Sequence, residues 1–175
     1  VSMTNLVSNT GVVSADVTGV GTARYALAAA SYGTDKAIFG YGYTSGPVSI
    51  TNLVSNTGVV SANVTGVGTA RYALAAAGYD TDKAIFGYGY TSANVSMTNK
   101  VSNTGVVSAD VTGVGTARYY PTAAGYGTDK AIFGYGYAAS PVSITNLVSN
   151  TGVVSANVTG VGTARSALAA TSYGG

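Results

Sequence analysis

The chain has 175 residues, eight Lys and Arg against six acidic side chains, a formal net charge of +2, and no His, Cys, Trp or Glu. Without Cys or His there is no disulfide framework, zinc site, haem ligation or cysteine nucleophile to consider, and cations spread one to three per repeat do not form the stripe or patch that a nucleic-acid binder needs. The length can bury a core, 46% apolar residues are too many for a solvated disordered tail, and apolar runs broken by Gly, Thr and Ser never approach the ~20 residues of a membrane helix.

Read along the chain, one unit recurs. Arg24, Arg71, Arg118 and Arg165 stand 47 residues apart, as do Gly11, Gly58, Gly105 and Gly152. Such self-similarity divides a single repeat domain, 1–175, into a partial repeat 1–23, repeats 24–70, 71–117 and 118–164, and a partial repeat 165–175. Within a unit, residues 24–32 are Ala-rich, a turn falls at Gly33-Thr34-Asp35, and Lys36-Ala37-Ile38-Phe39-Gly40-Tyr41-Gly42-Tyr43 forms the second segment. A loop at 44–47 leads to the third segment at 48–54, and a turn at 55–58 leads to the fourth at 59–65. Three of the four segments are β-branched or aromatic, and the turns hold Gly, Asn, Asp and Ser, so the unit reads as a four-stranded antiparallel meander. The Ala-rich segment would suit a helix by propensity. Nine residues are too few to nucleate one unaided, and small side chains fit a strand at the crowded centre of a ring, so strand is the favoured reading.

Taken with period 2, the second segment puts Phe39, Tyr41 and Tyr43 on one face and Ile38, Gly40 and Gly42 on the other. A strand bulky on one side and nearly bare on the other suits stacking, the rings of one copy filling the glycine gap of the next. Met3, Ile50, Met97 and Ile144 alternate, as do Asp16, Asn63, Asp110 and Asn157, which points to a duplicated pair of repeats. Lys100, Asp80, Tyr120 and Pro121 read as drift.

A first strand opening with Arg, a second ending in a glycine-rich aliphatic–aromatic run, a third led by Val48 and a fourth returning to Arg together resemble the kelch repeat over essentially the whole chain. The resemblance implies an all-β β-propeller built from four-stranded antiparallel kelch-like blades, similar in style to repeat arrays of bacterial and phage surface or tail proteins. Val1-Ser2-Met3-Thr4 opens in mid-repeat and no second segment follows residues 165–173, so an incomplete array, a piece of a longer one, is expected.

Each recurring Arg could bind anions at a propeller mouth, although strict repetition fits a structural role better. Tyr43, Tyr90 and Tyr137, at strand ends beside the most variable loops (44–47, 91–94 and 138–141), are the better contact candidates, with Tyr25, Tyr72 and Tyr119 as further aromatic platforms. The expected partner-binding rim is therefore Arg24, Arg71, Arg118, Arg165, Tyr43, Tyr90 and Tyr137. The Asp-Lys pairs at 35–36, 82–83 and 129–130 sit in turns pointing apart, which does not make a catalytic carboxylate pair. Catalytic residues, cofactors and metals are not expected. The function expected is a non-catalytic binding or structural module that offers one loop rim to a protein or glycan. It would stand on an extracellular or virion surface, with self-association or further repeats, no nucleic acid and no membrane insertion. The alternative is a self-assembling scaffold or fibre associating through β edges.

Overall fold

A computed structural model describes residues 2–172. Val1, and residues 173–175 at the end of the last partial unit, lie outside the described residues. The protein is all-β, with no helix among the described residues. Nine strands form three antiparallel three-stranded sheets, one per complete unit: β1 (Ala28–Tyr32), β2 (Lys36–Gly40) and β3 (Thr51–Val54), then β4 (Ala75–Tyr79), β5 (Lys83–Gly87) and β6 (Thr98–Val101), then β7 (Thr122–Tyr126), β8 (Lys130–Gly134) and β9 (Thr145–Val148). In the first sheet Ala30 lies opposite Ile38, Phe39 opposite Asn52, and Gly40 opposite Thr51. The register repeats in the other two. The Ala-rich segment is thus a strand in every complete unit, and Pro121 stands just before β7, where its missing N–H removes no ladder bond.

Two expectations are corrected. The sheets have three strands, not four. Residues 59–65 run beside β3 but form no continuous ladder with it, only the isolated bridges Thr51–Val64 and Val54–Val60. Four steps of chain there span three steps of β3, a bulge that interrupts the ladder. The cause lies in Ser61, whose hydroxyl accepts from Leu53 N at 3.0 Å while its own N–H donates to Leu53 O at 2.8 Å. A side-chain oxygen replaces a backbone carbonyl, and regular pairing stops. Ser108 and Ser155 repeat the arrangement.

The sheets also do not close into a propeller. They follow one another in a row, and neither partial unit forms a sheet among the described residues. Residues 165–172 take no strand form, while the β pairing of residues 4–17 is confined to the bridges Thr4–Val17 and Val7–Val13.

The core lies between units and not within them. Ile38, Tyr41, Leu74, Ala84 and Phe86 form one buried cluster, and Ile85, Tyr88, Ala131 and Phe133 form the next. At the first junction the ring of Phe86 lies over Gly40, so close that a Cβ on Gly40 would come within 2.6 Å of Phe86 Cζ; Phe133 sits on Gly87 in the same way. Neighbouring sheets meet chiefly through their first strands, β1 on β4 and β4 on β7. There the alanines allow close approach, and a Cβ on Gly78 would meet Ser31 O at 3.3 Å. Backbone bonds continue across the junctions, from Ala73 N to Ala26 O at 2.8 Å and from Tyr120 N to Ala73 O at 2.7 Å. A unit of this kind cannot bury its apolar face alone, so each is stabilised by its neighbours.

The second segment departs from the period-2 expectation at its end. Strand β2 stops at Gly40 because Tyr41 turns to a left-handed φ of 63° and Gly42 to 107°. The turn moves Tyr41 off the face of Phe39 and onto that of Gly40. There it is fully buried against Phe86, ring centroids 5.2 Å apart, and its hydroxyl donates to Val67 O at 3.1 Å. Burial pushes its phenol up to about 12. Tyr88 repeats the position against Phe133.

Candidate partner-binding rim

The arginines expected on the rim lie behind it. Arg24, Arg71 and Arg118 are buried, and Arg165 is exposed. Arg71 donates from Nε to Tyr88 O at 2.9 Å, from Nη1 to Thr69 O at 3.2 Å and from Nη2 to Asn99 Oδ1 at 2.6 Å, with its guanidinium over the Tyr41 ring at 4.3 Å. Arg118 covers Tyr88 at 3.9 Å and Arg165 covers Tyr135 at 4.1 Å. Burial pulls the guanidinium of Arg71 below its usual value, yet the aromatic face and three acceptors replace much of the lost water. A partner resting on the rim does not reach these buried groups.

A second set of residues locks the units together, of which the sequence marks only Asn63 and Asp110, and those as signs of duplication and not of contact. Asn52 accepts from Arg24 Nη2 at 2.6 Å and donates to Ser61 O at 3.0 Å and Asn63 Oδ1 at 3.1 Å; Asn63 in turn donates to Thr22 Oγ1 at 2.8 Å. In the next unit Asp110 stands for Asn63, accepting from Thr69 Oγ1 at 2.6 Å and Asn99 Nδ2 at 2.9 Å, with Arg71 Nη1 at 3.9 Å. The signal was present in the fixed spacing of 28 residues from each Arg to its Asn. Partial burial alone would raise the Asp110 carboxyl. Hydrogen bonds from Thr69 and Asn99, with the Arg71 charge, outweigh it and hold the group below the ordinary Asp value of 3.8. A depressed folded-state value contributes stability that is full above that ordinary value and is lost as pH falls through the folded one. Asp110→Asn, which recreates the residue of the flanking units, is therefore expected to flatten the acid side of the stability profile below about pH 4, read as the urea midpoint against pH. An unchanged acid slope would remove Asp110 as its source.

Tyr43, Tyr90 and Tyr137 do reach the rim, and their neighbours join them into one file. Beyond Gly42 the chain pairs Tyr43 with Tyr25 through two backbone bonds, Tyr43 N to Tyr25 O at 2.9 Å and Tyr25 N to Tyr43 O at 3.1 Å. This is the open end of the β1–β2 hairpin, away from the turn where Tyr32 faces Lys36. The rings then run without a break across both junctions. Tyr25 to Tyr43 is 5.4 Å between centroids, Tyr43 to Tyr72 4.9 Å, Tyr72 to Tyr90 5.7 Å, Tyr90 to Tyr119 5.6 Å and Tyr119 to Tyr137 5.4 Å, with Tyr120 beside Tyr119 at 5.1 Å. Neighbouring rings are inclined to one another by 41° to 75°; Tyr43–Tyr72, Tyr72–Tyr90 and Tyr90–Tyr119 meet edge-on, an arrangement that aromatic quadrupoles favour, and the others are tilted. Tyr25 is 60% exposed and Tyr120 40%, and the other members are partly exposed. Tyr120, which reads as drift in the sequence, belongs to the file because its left-handed φ of 48° sets it beside Tyr119.

The variable loops border the same edge. Each folds tightly back on its tyrosine, with Thr44 N donating to Gly46 O at 3.0 Å and Val48 N to Gly42 O at 2.9 Å, and Asn94 Nδ2 ties its loop to Ala138 O of the next at 2.9 Å. No loop at 44–47, 91–94 or 138–141 carries a charged side chain. The charged turns lie at the opposite end of the hairpins, where Lys36 pairs with Asp35 at 2.9 Å, Lys83 with Asp80 at 2.6 Å and Asp82 at 3.1 Å, and Lys130 with Asp129 at 2.7 Å. These are exposed local pairs of small energetic weight. Among the described residues no three His, Cys, Asp or Glu side chains gather as a metal site would require, and no helix is long and apolar enough to cross a membrane. No known protein family and no curated protein matches the chain.

Proposed function

We propose that the chain is a non-catalytic binding module, an open array of kelch-like repeats of the kind carried by surface, adhesin or phage tail-type proteins, which offers the rim of tyrosines and variable loops to a protein or glycan outside the cell or on a virion. The observation that carries this reading is the division of labour within the repeat. Phe, Ala, Gly and Arg positions are consumed by packing between units, whereas the tyrosine file stays partly exposed along one edge, bordered by the loops in which near-identical units differ most. Surface loops on a rigid scaffold are where binding specificity resides.

A second reading, a scaffold or fibre associating through β edges, draws support from the opposite edge of the sheets. Val59, Val106 and Val153, equivalent residues of the irregular fourth segment, are 66%, 65% and 60% exposed, and among the described residues no strand lies on the outer side of that segment. One experiment separates the two. Light scattering over a range of concentrations, combined with protein and glycan arrays, is expected to give a discrete species whose array preference changes when loops 44–47 and 138–141 are replaced by the 91–94 sequence. Growth in mass with concentration, abolished by Val59→Lys and Val106→Lys with array binding absent, would favour the fibre instead.

A further inference from the structure

We propose that the tyrosine file is a binding track for one chain of a neutral polysaccharide laid along the array from unit to unit. The proposal rests on the binding-module reading above and specifies its ligand. Continuity is its first support. The Tyr43–Tyr72 and Tyr90–Tyr119 contacts, at 4.9 Å and 5.6 Å, carry the file across both junctions. A compact ligand would meet two or three rings, so a surface of repeated, equivalent aromatic contacts selects a linear polymer, for which weak contacts in series multiply.

The chemistry of the edge narrows the polymer. Tyrosine presents an apolar face and a hydroxyl on one rigid side chain, the combination that matches a pyranose ring with its C–H face and rim of hydroxyls. The bordering loops supply Thr44, Ser45, Thr91, Ser92, Asn94 and Ser140 as further hydrogen-bonding groups, and none is charged. A polyanion would find little here, because the affinity of such chains depends on exposed Lys and Arg. The arginines behind the file at the first three positions are buried, and the lysines of the turns stand at the far end of the hairpins. A proline-rich peptide is the other linear polymer that aromatic surfaces accept. It prefers grooves between parallel aromatic walls, whereas these rings are mutually tilted by 41° to 75° in a single row.

Affinity electrophoresis of the 175-residue chain tests the proposal, with amylose, xylan, mannan and linear β-1,3-glucan as neutral probes, and dextran sulfate and a proline dodecapeptide as controls. Retardation by at least one neutral probe is expected, strengthening with oligosaccharide length. Tyr25→Ala with Tyr120→Ala, at the two most exposed rings, is expected to weaken it about tenfold with the melting temperature unchanged. Tyr90→Phe is expected to retain most of the affinity and Tyr90→Ala to lose it. No retardation by any neutral probe, or equal binding of dextran sulfate or the proline peptide, overturns the proposal. Retardation that persists in full in the Tyr25→Ala/Tyr120→Ala and Tyr90→Ala variants also overturns the track, while leaving glycan binding by the module intact.

Discussion

Replacing Arg71 with alanine is expected to lower the unfolding free energy by about 3–5 kcal/mol. Arg71 is fully buried at the junction of the first two complete units, and three of its N–H groups are engaged, with Tyr88 O, Thr69 O and Asn99 Oδ1. Alanine would leave those acceptors without donors, each a loss of about 1–3 kcal/mol where water cannot enter, and would take the cation from the Tyr41 face. Arg71→Lys is expected to recover little, since a single ammonium cannot reproduce the planar fork. The molecule holds its own control. Arg165 has the same place in the repeat and likewise covers a ring, Tyr135, but it is exposed and among the described residues its side chain makes one hydrogen bond, to Thr163 O at 3.1 Å, so Arg165→Ala is expected to change stability by no more than about 1 kcal/mol. Urea unfolding of both variants reads the difference. Equal losses would mean that the Arg contributes through its local turn and not through the junction.

That contrast between identical residues explains how much was legible beforehand. Three strands in each complete unit followed from the period and turn chemistry, each shorter than its segment, because every unit presents the same Gly, Asn and Asp punctuation. The pairing of Phe86 with Gly40 followed as well, since a bare face and a bulky face on one strand have few other uses. The fourth segment misled because the Ser61 hydroxyl competes with the backbone in a way that strand propensity does not register. Tyr41 misled because nothing in the sequence marks a tyrosine for a left-handed φ, and that turn takes its ring off the face that period 2 assigns to it. The tyrosine file was legible only in part. Tyr43, Tyr90 and Tyr137 stood out beside variable loops, but Tyr43 and Tyr72 lie 29 positions apart in sequence, and their contact exists only once one unit is stacked on the next.

Gly40→Ala is expected to destabilise the array by about 1–3 kcal/mol, an unusual cost for a single methyl added within a strand, where alanine would otherwise gain over glycine through the unfolded chain. The new Cβ would stand 2.6 Å from Phe86 Cζ, 3.0 Å from Cε1 and 3.2 Å from Cε2, and that ring is fully enclosed, with Tyr41 packed edge-on against it. The ring has no room to yield, so the overlap must be relieved by parting the two sheets, and the junction holds most of the apolar burial available to either unit. Phe86→Leu alone is expected to leave a cavity and lose stability. Combined with Gly40→Ala it is expected to lose less than the sum, because the smaller side chain vacates the space that the methyl requires, and such coupling between touching residues commonly reaches 0.5–3 kcal/mol, on the order of the single effects. Gly134→Ala supplies the internal comparison. Its new Cβ would meet Thr145 Cγ2 at 3.3 Å, and among the described residues no ring stands above it, so a clearly smaller loss is expected on urea unfolding. If Gly40→Ala and Gly134→Ala proved equally harmful, the cost would belong to the strand itself, and the Phe-on-Gly contact would not be what joins one unit to the next.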